Sequence, residues 1–168
     1  MEVRVALALC VVLCGALCGK SLSDGARRRA QALRGIIEGV RRLRVRMTSM
    51  FEPVQSALQH AECPALAMVA EAMAGGKSAG EAWSNVRARA VRRGGPAEGF
   101  LDADRQAMER LFERLGQSGR EEQDLLIADA LASLESLYKD AQSKAAEADR
   151  LYVTLGLLIG LMLALIVI

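Results

Sequence analysis

The sequence predicts an all-α protein, a helical bundle with a transmembrane helix at each end. Residues 5–19 and 151–168 carry no charge, and aromatic residues make up only 4% of the 168 residues. Ala, Leu, Glu and Arg dominate, which favours helix over strand. We therefore expect an N-terminal transmembrane helix or signal anchor at 1–20, a cytoplasmic helical bundle at 21–150 and a C-terminal transmembrane helix at 151–168.

The C-terminal apolar run has the length of a membrane span. Its 18 residues reach about 27 Å as a helix, close to the roughly 30 Å of bilayer hydrocarbon. Arg150 and Tyr152 flank its start, where a charge and an amphipathic ring belong. Gly156 and Gly160 form a G-x-x-x-G motif that permits close helix contact, which leaves homo-oligomerisation open.

The N-terminal apolar run is shorter and can also be interpreted as a cleaved signal peptide, although its cleavage region is a poor match. Basic residues follow it, namely Lys20, Arg27, Arg28 and Arg29. By the positive-inside rule they place the middle domain in the cytoplasm, with both termini across the membrane. We expect anionic lipid headgroups, and not nucleic acid, to be the nearest partner of the arginines.

The three cysteines of this run recur every four residues: Cys10, Cys14 and Cys18. We interpret them as small packing residues on one helix face. Palmitoylation or a redox role is the alternative.

The middle domain reads as helix throughout. Apolar residues at helical spacing predict a long first helix, with the stripe Leu22, Ala26, Ala30, Leu33, Ile37, Val40, Met47 and Met50. Pro53 and Pro64 fit the first turns of two short helices. Ser78 and Asp102 are expected to cap the next two helices, and Gly116 to end the second. The stripes of those two helices are Ala82, Trp83, Val86 and Ala90, then Met108, Leu111, Phe112 and Leu115.

The last helix is predicted to start at a capping box formed by Ser118 and Glu121. No Gly or Pro follows until Gly156, so one helix is expected to run from the domain into the membrane. Its stripe is Ile127, Leu131, Leu134, Tyr138, Ala141, Ala145, Ala148 and Tyr152.

Charge divides the middle of the chain into a basic front and an acidic back. Residues 20–46 carry nine bases and two acids, whereas residues 98–150 carry thirteen acids and seven bases. Two solvated helix faces explain this pattern, and so does an antiparallel pairing of the first helix with the last.

No catalytic, cofactor or metal site is predicted. Gly76-Lys77-Ser78 lacks the first glycine of a phosphate-binding loop, since Glu71 stands there. His60 is the only histidine, and it cannot complete a zinc site with Glu62 and Cys63. We therefore expect a protein that is not an enzyme.

The segment Leu115-Gly116-Gln117-Ser118-Gly119-Arg120-Glu121-Glu122-Gln123, followed by a long helix, Tyr152 and Leu155-Gly156, resembles the stage III sporulation protein AB family. The family pattern is similar to L-G-x-S-D-x-x-x-Q, and Gly119 stands where Asp is usual. Weaker points of resemblance are Glu81-Ala82-Trp83 and Pro53 with Ala57-Leu58.

The resemblance implies a non-catalytic role. Such proteins resemble platform domains of type II secretion machines and belong to the channel complex between mother cell and forespore. A secretion-type ATPase, the stage III AA component, would be the partner, and the membrane would be that of the mother cell around the forespore. The candidate contacts are Arg120, Glu121 and Gln123, which we take to be exposed. Gly116, Ser118 and Glu121 have local roles at helix ends, whereas Arg120 and Gln123 have none in the sequence.

Three other interpretations remain. In the first, the chain is a double-anchored membrane protein that organises lipids or helical partners without an ATPase. In the second, it is an exported helical protein with a C-terminal anchor. A membrane hydrolase is the most distant, because the sequence pairs no nucleophile with a base.

Overall fold

The computed structural model describes the backbone of residues 2–167, and the side chains of residues 25–151 and of 154, 155, 158 and 162. The described backbone forms helices and no strand, which confirms the predicted all-α bundle. The helices are α1 (Glu2–Thr48), α2 (Val54–Gln59), α3 (Pro64–Ala72), α4 (Ala79–Val91), α5 (Asp102–Arg114) and α6 (Arg120–Val167). The predicted continuity of the last helix is confirmed, since α6 is unbroken.

Helices α3 and α4 begin where the sequence predicts, whereas α2 begins one residue later than predicted. Pro53 directly precedes α2, and Pro64 is the first residue of α3. At α4 the Ser78 hydroxyl accepts a hydrogen bond from the Glu81 N–H at 3.3 Å, and the Glu81 carboxylate accepts from the Ser78 N–H at 3.0 Å. This reciprocal pair satisfies two amides that the helix leaves without partners.

The predicted cap of α5 is wrong by one position. Asp102 is the first residue of that helix and not its cap. The Leu101 N–H instead donates to the Asp104 carboxylate at 2.8 Å. Asp104 is fully buried. Its carboxylate therefore accepts the amide at the start of α5 from a position inside the core.

The chain divides into two compact units. The central unit is residues 28–140, and the terminal unit combines residues 1–27 with 141–168. Within the terminal unit, Arg27 forms an ion pair with Asp149. Large apolar side chains on α6 are half or more exposed there at spacings of four, three and four residues: Leu151, Leu155, Leu158 and Met162.

Among the described residues, no helical stretch has both the length and the apolar character that crossing a bilayer requires. The side chains of the predicted span at 1–20, including Lys20, lie outside the described residues. So do Tyr152 and most side chains of the predicted span at 151–168.

In the central unit the basic part of α1 lies antiparallel to the acidic part of α6. The Arg41 guanidinium lies 2.6 Å from the Glu135 carboxylate, and Arg44 binds both oxygens of Asp124 at 2.7 Å. Hydrogen bonds from Arg44 hold the pKa of the Asp124 carboxyl below its usual range. The front and back of the chain therefore pair with each other and are not merely solvated.

The core of the central unit contains the predicted stripes of α4 and α5. Trp83 stacks on Phe112 with 5.2 Å between ring centroids, and all eight predicted residues of the two stripes are buried. On α1 the core includes Ile36 and Leu43 beside the predicted Leu33, Ile37 and Val40. Met50 was predicted to join that stripe, but it lies beyond the helix and is exposed.

Helix α1 approaches the start of α3 closely at Gly39. A Cβ atom at this position would lie only 2.5 Å from the Cβ of Cys63. Glycine is therefore required by the packing. Cys63 is buried in this contact, and burial raises the pKa of its thiol, so the group behaves as a small apolar residue.

Candidate partner-binding surface

Ion pairs distinguish the two ends of the central unit. At one, called the residue-28 end, Arg28 lies 2.8 Å from the Glu98 carboxylate. The residue-48 end lies about 30 Å farther along α1, and the Arg44–Asp124 pair lies close to it. The predicted contact residues all belong to the residue-48 end, where α5 turns into α6.

Gln123 holds this turn together. Its side-chain oxygen accepts from the Gly116 N–H at 3.0 Å, and its side-chain nitrogen donates to the Arg114 carbonyl at 3.1 Å and the Ser118 hydroxyl at 2.7 Å. Gly116 has a φ of 81°, a left-handed conformation that glycine adopts without steric cost. The predicted exposure of Gln123 is wrong, because these bonds draw its amide into the turn and leave the residue only 4% exposed.

The capping box predicted between Ser118 and Glu121 does not form, and α6 begins one residue later than predicted. The helix begins at Arg120, and the Gln123 N–H donates to the Gly119 carbonyl at 2.9 Å. Gly119 therefore occupies the cap position, and Ser118 lies outside the helix. The Ser118 hydroxyl is bonded to the Gln123 amide, which explains why it serves the turn and not the helix start.

Arg120 has a local contact that the sequence did not reveal. Its guanidinium carbon lies 3.7 Å from the centroid of the Phe51 ring. Such a cation–π contact at an exposed site contributes about 0.5–1 kcal/mol. Phe51 has a φ of 60°, which is uncommon for a bulky residue. The residue is nevertheless 64% exposed, so burial does not explain its position.

Other exposed apolar side chains surround this end of the central unit. We define the Arg120 surface as Arg120 with the apolar residues Val45, Met50, Phe51 and Leu125, each of the four at least half exposed. Val45 also lines a groove of about 440 Å³ between α1 and α6. Of the four, Phe51 is the one with a described contact to Arg120, and an exposed aromatic ring beside an arginine is typical of a protein contact site.

Phe51 was not singled out in the sequence. The sequence gives only a weak signal for a contact residue at this position, because a lone aromatic residue two positions before Pro53 can equally be the last apolar residue of the stripe on the first helix. Glu121 is exposed as predicted.

The described side chains form no cluster typical of a metal site. No three metal-ligating groups converge among them. His60 is exposed, and its ring nitrogen lies 3.3 Å from both the Ser56 hydroxyl and the Glu52 carboxylate. His60 therefore belongs to a surface hydrogen-bond network at α2.

The predicted membrane-flanking arginines lie in different environments. Arg29 is buried, so its predicted place at a membrane surface is wrong. It binds Asp104 through two hydrogen bonds of 2.7 and 2.8 Å, because two nearby carboxylates draw the guanidinium inward. Its second partner is Asp140 at 3.4 Å. Arg28 is partly exposed but paired, and Arg150 is exposed.

A comparison with protein families decides the assignment. The family model described as stage III sporulation protein AB matches residues 4–168. The chain belongs to the stage III sporulation protein AB family. Comparisons with curated proteins and with solved structures found no match. Membership gives the chain a role in stage III of sporulation, and the family description names no enzymatic activity.

The residues that carry the resemblance to stage III sporulation protein AB have structural roles in this chain. Gly116, Ser118 and Gln123 form one hydrogen-bonded turn. Glu81 belongs to the capping box of α4, and Trp83 is buried in the core. The motif therefore builds the turn that carries Arg120.

Proposed function

We propose that the chain is a non-catalytic platform subunit of the stage III sporulation channel complex, anchored in the mother-cell membrane around the forespore. In this proposal both apolar ends span the membrane, and the central unit is cytoplasmic. The Arg120 surface binds a secretion-type ATPase, the stage III AA component.

The main observation in support of the proposed ATPase contact is that Phe51 and Arg120 lie against each other and are both exposed. Aromatic and arginine side chains are enriched where protein contacts concentrate their binding energy. The Gly116 N–H and the Arg114 carbonyl of the turn are bonded to Gln123, so neither of these two groups requires a hydrogen bond from a partner. The ring is held in an uncommon backbone conformation and remains in solvent, which favours a role in recognition.

Two observations support the membrane anchor. Leu151, Leu155, Leu158 and Met162 form an exposed apolar stripe on one face of α6. Exposed apolar side chains repeated along a helix favour a contact that covers them, and lipid supplies one. The remaining support is the uncharged composition of both ends of the sequence.

Co-purification from membranes of sporulating cells tests the proposal. The full chain should retain the ATPase after mild solubilisation. Phe51→Ala and Arg120→Glu should each reduce its recovery about tenfold or more, because a residue central to a contact contributes at least about 1–2 kcal/mol. Lys139→Glu is the matched control, since it reverses one exposed charge at the other end of the central unit, next to Asp140.

The outcomes separate the interpretations. Equal recovery with all three variants contradicts the Arg120 surface. A membrane-bound chain that never retains the ATPase favours the alternative, a double-anchored protein that organises lipids or partners alone. Helical content measured by circular dichroism verifies that the variants are folded.

A further inference from the structure

The arginines that follow the N-terminal apolar run are occupied within the protein. All eight arginines between residues 27 and 46 form ion pairs with carboxylates. Their charges are thereby largely compensated. If the chain meets an anionic surface, other cations are the better candidates for that contact.

Three such cations lie at the end of α4 and in the loop that follows it. Arg89, Arg92 and Arg93 are exposed, and none of them forms an ion pair or side-chain hydrogen bond with any described residue. The acids closest along the chain each bind another arginine: Asp102 binds Arg105, Glu109 binds Arg87, and Glu98 binds Arg28 and also attracts Arg93. The local charge is therefore strongly positive.

The loop that carries these arginines is well anchored. The Gly94 N–H donates to the Glu98 carboxylate at 2.9 Å, and the Ala97 N–H donates to the Ala90 carbonyl at 2.9 Å. The Gly94 bond and the Arg28 guanidinium hold the pKa of the Glu98 carboxyl below its usual range. The arginines thus project from an ordered loop, which lowers the entropy cost of binding.

The loop belongs to the residue-28 end of the central unit. Gly99 packs against α1. A Cβ atom added to Gly99 would lie 3.2 Å from the backbone nitrogen of Arg29. The chain leaves the central unit toward its two apolar segments at residues 27–28 and 140–141, and Asp140 also contacts Arg29. Both connections to the proposed spans therefore start at the end that carries the basic loop.

We propose that Arg89, Arg92 and Arg93 form a binding surface for the headgroups of anionic lipids. This inference rests on the proposed membrane anchor. Guanidinium groups bind lipid phosphates by paired, charge-assisted hydrogen bonds, and clusters of basic residues beside a span are attracted to anionic leaflets. The surface adds an electrostatic contact that orients the domain and that salt weakens.

Hydrogen–deuterium exchange of the full chain in lipid nanodiscs tests this surface. Discs of phosphatidylcholine are compared with discs that also contain phosphatidylglycerol, and exchange is followed at residues 92–99. We expect several-fold slower exchange in the anionic discs, reversed by high salt. Because substitutions change intrinsic exchange rates, each variant is scored by its own ratio between the two discs.

Two double variants remove equal charge from opposite ends. Arg92→Gln with Arg93→Gln should abolish the difference between the discs. Arg110→Gln with Arg114→Gln should preserve it, because these exposed arginines also lack ion pairs among the described side chains but lie on α5 toward the residue-48 end.

Other outcomes overturn the proposal in distinguishable ways. Equal exchange in both discs contradicts the lipid surface while leaving the anchor intact. Protection by inorganic phosphate in phosphatidylcholine discs assigns the arginines to a soluble anion and contradicts the lipid assignment. A chain that enters neither disc contradicts the membrane anchor, and with it the proposed function.

Discussion

Arg29 and Asp104 are the most deeply buried charges among the described residues, at 6% and 0% exposure. Two hydrogen bonds join them, and they connect α1 to the start of α5. Removal of one partner leaves the other as an uncompensated buried charge, which costs far more than the pair contributes in net stability. This pair therefore constrains how α1 and α5 dock.

A double-mutant cycle measures that constraint. Arg29→Ala should lower the free energy of unfolding by about 3–5 kcal/mol. Arg29→Ala combined with Asp104→Leu should cost clearly less than the sum of Arg29→Ala and Asp104→Leu measured singly, since the double variant leaves neither charge of the pair buried. Urea unfolding of the full chain in detergent supplies the values.

The matched control for the cycle is Arg34→Ala, which removes an exposed pair with Glu38 and should cost less than about 1 kcal/mol. If Arg29→Ala costs no more than this control, the buried pair does not constrain the fold.

A second prediction concerns the stability of the fold at acidic pH. Asp124 is paired with Arg44, so its folded-state pKa lies below its unfolded-state value. The pair therefore stabilises the fold above the ordinary carboxyl pKa near 4 and loses this effect as pH falls through the lower folded-state value. The gap in Tm between the wild type and Arg44→Ala should be present at neutral pH and should close below about pH 4.

Arg114→Ala serves as the reference for this measurement, because Arg114 forms no ion pair within the described part of the chain. Its Tm difference should not follow the same pH dependence. A gap for Arg44→Ala that stays constant down to the most acidic pH would mean that the pair does not stabilise the fold through the charge of Asp124.

At the scale of elements, alanine substitutions at two glycines on α1 measure the effects of helix propensity and of packing on stability separately. A Cβ atom at Gly35 would meet open space, whereas one at Gly39 would lie 2.5 Å from the Cβ of Cys63. Gly35→Ala should stabilise the fold by about 0.5–1 kcal/mol, because alanine favours the helix. Gly39→Ala should destabilise it by about 1–3 kcal/mol through overpacking.

Thermal unfolding should give a Tm above the wild-type value for Gly35→Ala and a Tm below it for Gly39→Ala. Stabilisation by both substitutions would mean that α1 and α3 do not approach as closely as the structure has them.

The elements themselves were largely predictable from the sequence. Stripes at helical spacing located the cores of α4 and α5, because periodicity is a local property. The cap positions at Asp102 and Ser118 were each wrong by one residue, since nearby side chains compete for the same amides. The roles of Gln123 and Phe51 depend on contacts between a helix and a loop, which spacing along one helix does not report.

At the scale of the whole molecule, the central unit offers different chemistry at its two ends. The residue-28 end carries exposed arginines and both connections to the apolar ends of the chain. The residue-48 end carries exposed apolar side chains around Arg120. The proposed platform role assigns lipid to the first end and a protein partner to the second.

Site-specific photo-crosslinking in sporulating cells tests this division between the two ends. A benzophenone amino acid replaces Phe51 in one version of the full chain and Arg92 in another, and the cross-linked products are identified by mass spectrometry. We expect cross-links to the secretion-type ATPase from position 51 and none from position 92. Equal cross-linking from both positions, or ATPase cross-links only from position 92, would show that the residue-48 end is not the one that meets the ATPase.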